Sequence, residues 1–165
     1  MSSTGIFLKL DNITGESTDT NHKQWIELHG IDLGIYNNAH VASSGARKLN
    51  KGTASFQHIH CVKIQDSSSV KLLSAVAKGV FFNTVSVEIC TMFNNAMHPY
   101  LTLELNDCMI SAITAKAQAG AGYAEEHITL VYSKIKWTYT ALDADGKPGS
   151  KVGPEGWDLV ANSHL

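Results

Sequence analysis

Proline and cysteine are both scarce in this chain, at three each in 165 residues, and charged residues make up only 17%. Neither sign dominates: thirteen Lys and Arg stand against fifteen Asp and Glu, a formal charge of −2. With no basic surplus, the composition argues against a nucleic-acid partner. No apolar run reaches the length of a transmembrane helix, so no membrane insertion is expected. The opening Met1-Ser-Ser-Thr-Gly-Ile-Phe-Leu-Lys-Leu10 has no basic n-region and no long apolar h-region, so it does not read as a signal peptide. Cys61, Cys90 and Cys108 are odd in number and scattered, which suits reduced thiols made in a cytoplasm better than a disulfide framework. The chain also lacks a Gly-x-Ser-x-Gly elbow, a phosphate-cradling glycine loop and a nucleophile motif around any thiol. No catalytic residue, cofactor site or metal site is therefore assigned.

The sequence does hold enough apolar residues, 44%, to bury a core, and one domain over 1–165 is expected. Period-two alternation dominates. Val85, Val87, Ile89, Thr91 and Phe93 share one strand face; Ser86, Glu88 and Cys90 share the other. Leu101, Leu103 and Leu105 alternate likewise, but the phase breaks at Asn106-Asp107 and resumes through Cys108, Ile110 and Ala112, as at a β-bulge. Further strands are read at Ile6–Leu10, 24–36, 54–64 and 126–140. One helix is expected over about residues 69–78, with Ser69 as N-cap, Gly79 closing it, and Val70, Leu72, Leu73, Val76 and Ala77 on its apolar side. The fold class is mainly β: a β-barrel or two packed antiparallel sheets with one flanking helix. Residues 37–52 form a long polar excursion between strands, and such loops are often functional.

Several constellations weigh lightly against simpler readings. His58 and His60 sit two apart, near enough on one strand face to share a metal, but no further ligands are identifiable. Asp143-Ala-Asp-Gly146 resembles the opening of an EF-hand loop, yet the sixth residue after the glycine is Val152 where Glu is needed, so a plain turn is expected. Glu125-Glu126, and Glu88 with Glu104, read as exposed strand charges. Trp25, Trp137 and Trp157 suit a sugar-stacking platform or core anchors. From the residues alone, a ligand-binding β-sandwich, for example a carbohydrate-binding module, and a self-assembling structural subunit are both open.

Five ordered segments together resemble one family, the haemolysin-coregulated proteins that form the tube of bacterial type VI secretion systems. They are Ile6–Leu10 with Gly15-Glu-Ser-Thr-Asp19 and His22-Lys23; Ile59–Lys63 running into Asp66-Ser-Ser-Ser-Val70; Tyr100–Leu105 on to Ser111-Ala-Ile113; Glu126–Leu130 with Tyr132–Tyr139; and Gly156-Trp-Asp158. Where the family often carries a Trp-x-Trp-Gly-like strand, this chain has Gly30-Ile-Asp-Leu-Gly34, and Val70 stands where the helix usually opens with Pro. The resemblance implies a homo-oligomer: hexameric rings with a wide channel, stacked into a tube, propelled by a contractile sheath, capped by a spike protein and able to carry effectors. It implies no enzyme activity, and secretion from the cytoplasm without a signal peptide. His40, Arg47, Lys48 and Lys51 in the 37–52 loop are the candidate ring-stacking residues, and Asp32 is the candidate channel-facing residue. The chain ends about eight residues after Trp157, so no appended toxin domain is expected.

Overall fold

A computed structural model describes residues 3–45 and 48–165. In chain order the elements are β1 (Thr4–Lys9), β2 (Ile26–Leu28), β3 (Gly30–Asp32), β4 (Ile35–Asn37), β5 (His40–Val41), β6 (Leu49–Asn50), β7 (Ala54–Phe56) and β8 (Ile59–Ile64). Then come α1 (Ser69–Lys78), β9 (Phe81–Phe93), β10 (Ala96–Lys116), β11 (Glu125–Val131), β12 (Lys134–Leu142), β13 (Pro148–Asp158) and β14 (Ser163–His164).

The expected β-rich architecture with one flanking helix is present. Its ladder is antiparallel throughout and centred on β10. One edge of β10 pairs with β9; the other pairs first with β12 and then with β11. Beyond these lie β1 and β2 on one side, and β8, β3, β13 and β14 on the other. The sheet curls without closing into a barrel. β2 ends one side of the ladder on β1 and β3 ends the other on β8, and among the described residues β2 and β3 do not pair with each other. Between them, the His29 N–H donates to the Val62 carbonyl and carries the chain from one ladder to the next.

The phase break read at Asn106-Asp107 is a corner of the whole sheet. Leu103 and Leu105 are buried before it, Cys108 and Ile110 after it. β9 switches phase at the paired position, burying Phe82 on one side and Val85 on the other with Asn83 and Thr84 exposed between. The chain turns from β11 to β12 there too, burying Tyr132 and Ile135. Asp107 takes φ +47°, and its carboxylate accepts from the Ser133 hydroxyl at 3.0 Å. Polar side chains thus hold the line where the apolar faces change sides. The core inside the curl contains Leu8, Ile26, Ile59, Leu105, Ile128 and Leu130, all fully buried.

α1 begins one residue earlier than a Ser69 N-cap implies: Ser68 is the N-cap and Ser69 the first helical residue. Gly79 closes the helix in the left-handed conformation, φ +65°, its N–H reaching the Ala75 and Val76 carbonyls. Leu72 and Ala75 face the core, whereas Val70 and Leu73 face outward. The apolar stripe is therefore wider than the buried one.

A buried ion cluster pins this helix to the sheet. Alternation puts Ile59, Cys61 and Lys63 of β8 on the buried face, and Lys63 is directly paired with Glu126 of β11. The Lys63 Nζ donates to Glu126 Oε2 at 2.8 Å, to Asp66 Oδ1 at 2.9 Å and to Ser69 Oγ at 3.2 Å. The Ser69 hydroxyl donates to Glu126 Oε2 and accepts from the Asp66 N–H. Glu126 is not the exposed charge expected from the sequence: its side chain, like that of Lys63, is fully buried. Removing one member of such a pair strands the other charge in the core, at a cost of about 3–5 kcal/mol. Lys63→Met should lower unfolding stability by that order in urea melts, and Lys63→Met with Glu126→Leu should recover most of it. A double variant no more stable than the single one contradicts this account.

Candidate functional site

The segment from Leu33 to Phe56 leaves the body as a two-tier hairpin arm. β4 pairs with β7 through Ile35↔Phe56 and Asn37↔Ala54; further out β5 pairs with β6 through His40↔Asn50 and Val41↔Leu49. At its waist, the Asn37 side chain donates to the Gly52 carbonyl and accepts from the Gly52 N–H. A Cβ at Gly52 would collide with the Asn38 carbonyl, so this close approach requires glycine. The arm exposes Leu33, Ile35, Tyr36, Val41 and Leu49, with Val41 77% exposed. The described part of the polar 37–52 loop read from the sequence is thus a paired arm with apolar sides. His40 and Lys48 lie at its outer tier and Lys51 follows β6, all exposed; Arg47 lies outside the described residues. Asp32 is exposed at the end of β3, opposite His60 of β8.

The remaining sequence candidates do not converge. His58 precedes β8 and His60 lies on it, both exposed; the His60 Nδ1 lies 3.1 Å from the Thr129 hydroxyl. Trp25 packs edge-on to His22, whereas Trp157 stacks on Phe56 and Trp137 packs against the core, so the tryptophans do not share a platform. The Asp143 carboxylate accepts from the N–H groups of Asp145 and Lys147, the plain turn that was expected. Glu104 lies 3.6 Å from Lys136 across the strand pair.

Sequence reasoning missed a second buried cluster. Gly5 and Phe7 of β1 pair with Cys90 and Glu88 of β9, on the sheet face turned away from the main core. Residues 15–25 fold over that face and bring His22 into it. Its ring stacks on Phe7 at 4.2 Å and meets Trp25 edge-on at 5.0 Å. The Nδ1 lies 2.6 Å from Asp19 Oδ2, the Nε2 lies 2.7 Å from Glu88 Oε2, and the Cys90 Sγ is 3.6 Å from Nε2. Burial opposes a charge on His22, but its partners Cys90, Glu88 and Asp19 outweigh that and push the imidazole up to about 10. Burial likewise works against the Asp19 carboxylate, yet hydrogen bonds from His22 and from the Met97 and Asn21 N–H groups hold it below the ordinary range. At neutral pH the ring is an imidazolium, with Asp19 on its Nδ1 and Glu88 on its Nε2. The one sequence signal for it was the Asp19…His22 spacing inside the first family-like block.

Known proteins match this chain over nearly its full length. The family model described as "Type VI secretion system effector, Hcp" matches residues 7–139. The chain belongs to the Hcp family. It is 22% identical to Protein hcp1 of Pseudomonas aeruginosa over 157 residues, covering 95% of this chain and 96% of that one. A solved type six secretion system protein superposes with a TM-score of 0.89 at 34% identity, covering 99% of this chain and 100% of the other. Hcp1 from Salmonella typhimurium superposes with a TM-score of 0.75 at 23% identity over the whole of both chains. This Hcp chain is accordingly a structural tube protein of the type VI secretion system.

The folded pKa of His22, about 10, lies above its ordinary 6.5. Its stabilisation is complete below about pH 6.5 and is lost as pH rises through 10. The lowered Asp19 works in the other direction: its contribution is present above its ordinary 3.8 and disappears as pH falls below that. Thermal melts from pH 6.5 to 10 should show a steeper fall in Tm for the wild type than for His22→Gln, which cannot take up the proton. Parallel curves would contradict a charged His22.

Proposed function

We propose that six copies of this chain close head to tail into a ring around a channel, and that rings stack through the hairpin arm to build the tube. Head-to-tail closure needs two different complementary faces on each subunit. The observation that carries the reading is the arm, whose apolar residues Leu33, Ile35, Tyr36, Val41 and Leu49 have no cover in the isolated chain. Contiguous exposed apolar surface of this kind marks protein interfaces. A second such face is offered by Val70 and Leu73 on α1 with Val80 and Phe81 just beyond it.

In this reading the outer tier of the arm, with His40, Lys48 and Lys51, meets acidic groups on the next ring, and Arg47 adds to that charge. Asp32 faces the channel, beside His60 on the neighbouring strand. The role is structural, with no catalytic residue, cofactor or resident metal required for it. The partners are further copies of the chain, a contractile sheath outside the tube, a spike protein at its tip and effectors within the channel; nucleic acid has no part. The chain waits in the cytoplasm until assembly and is then secreted through the type VI machine, a route that needs no signal peptide. No helix among the described residues is long and apolar enough to cross a membrane.

Light scattering on the purified protein should give about 107 kDa, six times the 17.9 kDa chain, at both high and low concentration. A mass near 17.9 kDa throughout refutes the ring. Deleting residues 41–50 should leave rings intact and abolish tube growth in electron micrographs; loss of the ring itself removes the arm from the stacking role.

A further inference from the structure

Three chemically different donors converge where residues 15–25 cover β1 and β9. They are the His22 Nε2, a Glu88 carboxylate oxygen and the Cys90 Sγ, all within 4.8 Å of one another. We propose that His22, Glu88 and Cys90 hold a divalent cation of the zinc or cobalt class. The site is separate from the surfaces assigned to assembly.

Geometry is the first argument. Metal–nitrogen and metal–sulfur bonds of about 2.0 and 2.3 Å in a tetrahedron set the nitrogen and sulfur roughly 3.5 Å apart. Here Nε2 and Sγ are 3.6 Å apart. The contact to Glu88 Oε2, now 2.7 Å, has to open by about half an ångström to admit the ion. Glu88 is the most accessible of the three, with 21% of its side chain exposed, and gives entry and room for a water as fourth ligand.

The outer shell is the second argument. A metal-binding histidine nearly always donates its other ring N–H to a carboxylate or carbonyl that fixes the ring. Asp19 occupies that position, 2.6 Å from Nδ1. It is itself anchored by the backbone N–H groups of Asn21, His22 and Met97. Phe7 stacks on the ring face and Trp25 meets it edge-on, packing that supports this ring orientation.

Donor chemistry is the third. The ion takes the place of any proton on Nε2 and on the Cys90 thiol, and those protons pass to solvent. The donor set of imidazole nitrogen, carboxylate oxygen and thiolate sulfur suits a borderline-soft ion, not magnesium or calcium.

The test is cobalt titration of the purified full-length protein. The expected result is one equivalent per chain, with an intense thiolate-to-cobalt charge-transfer band. Among the described residues, no group of three metal donors includes Cys61 or Cys108, so the band is assigned to Cys90. Cys90→Ser should lose the band while keeping the wild-type oligomeric mass. Glu88→Gln, a change at a partly exposed position, should keep the band but weaken cobalt binding by at least about tenfold, since even outer-shell losses cost that much. The proposal is overturned if wild-type protein takes up no cobalt, or binds it without the band, as exposed histidines such as His60 and His127 would. A band that survives in Cys90→Ser also overturns it.

Discussion

The ladder around β10 is the constraint from which the rest follows. A strand of 21 residues is too long to hold one face against a curved core. Its apolar pattern therefore has to change sides, and the neighbouring strands have to change with it at the same line. Leu105 and Cys108 on β10, Val85 and Phe82 on β9, and Ile135 and Tyr132 at the β11–β12 junction are the three expressions of that requirement. Because the sheet bends there, β8 and β3 swing round towards β1 and β2, and the core closes without a closed barrel. α1 fills one open side of the curl, and residues 15–25 cover the outer face of β1 and β9.

Both buried ion clusters sit where covering segments meet the sheet. Lys63 and Glu126 lie directly opposite one another on β8 and β11, and Ser69 brings the first turn of the helix onto them. His22 does the corresponding work for the 15–25 segment, bridging Asp19 in the loop to Glu88 in the strand. An apolar contact would tolerate sliding of the cover over the sheet. A charge-assisted hydrogen bond has a narrow range of length and angle, so each cluster fixes the position of its cover as well as attaching it.

The parts of the fold written in alternation were legible in the sequence: β9, β10 with its phase break, and the helix closed at Gly79; the one long strand read over 126–140 is two, β11 and β12, because the chain turns at Tyr132-Ser133. The long excursion at 37–52 was legible too, though not its character. Its apolar residues are spread thinly among polar ones, and no periodicity announces that Val41 and Leu49 pair across a hairpin. The buried charges were partly legible. Lys63 is in phase with Ile59 and Cys61, and Glu126 with Ile128 and Leu130, so alternation alone puts both on the core face. Each looks anomalous until register shows them paired. His22 was not legible in this way, because it lies in an irregular loop and its partner Glu88 is 66 positions away. Sequence order carries no record of which loop covers which face. The residues proposed for assembly rest on family resemblance, since exposure is a property of the folded chain.

The contrast between body and arm also sets how the molecule bears load. β9 and β10 share twelve register pairs, and a pull along the strands loads them all in parallel, in shear. The arm is tied by three pairs at its inner tier and two at its outer one. A sideways pull on its tip loads those pairs one after another, as in opening a zip. The chain is therefore stiff along its strands and compliant at the arm, so a sudden axial force on an assembly joined through the arms would be taken up first at the joints, with the subunit body left undistorted.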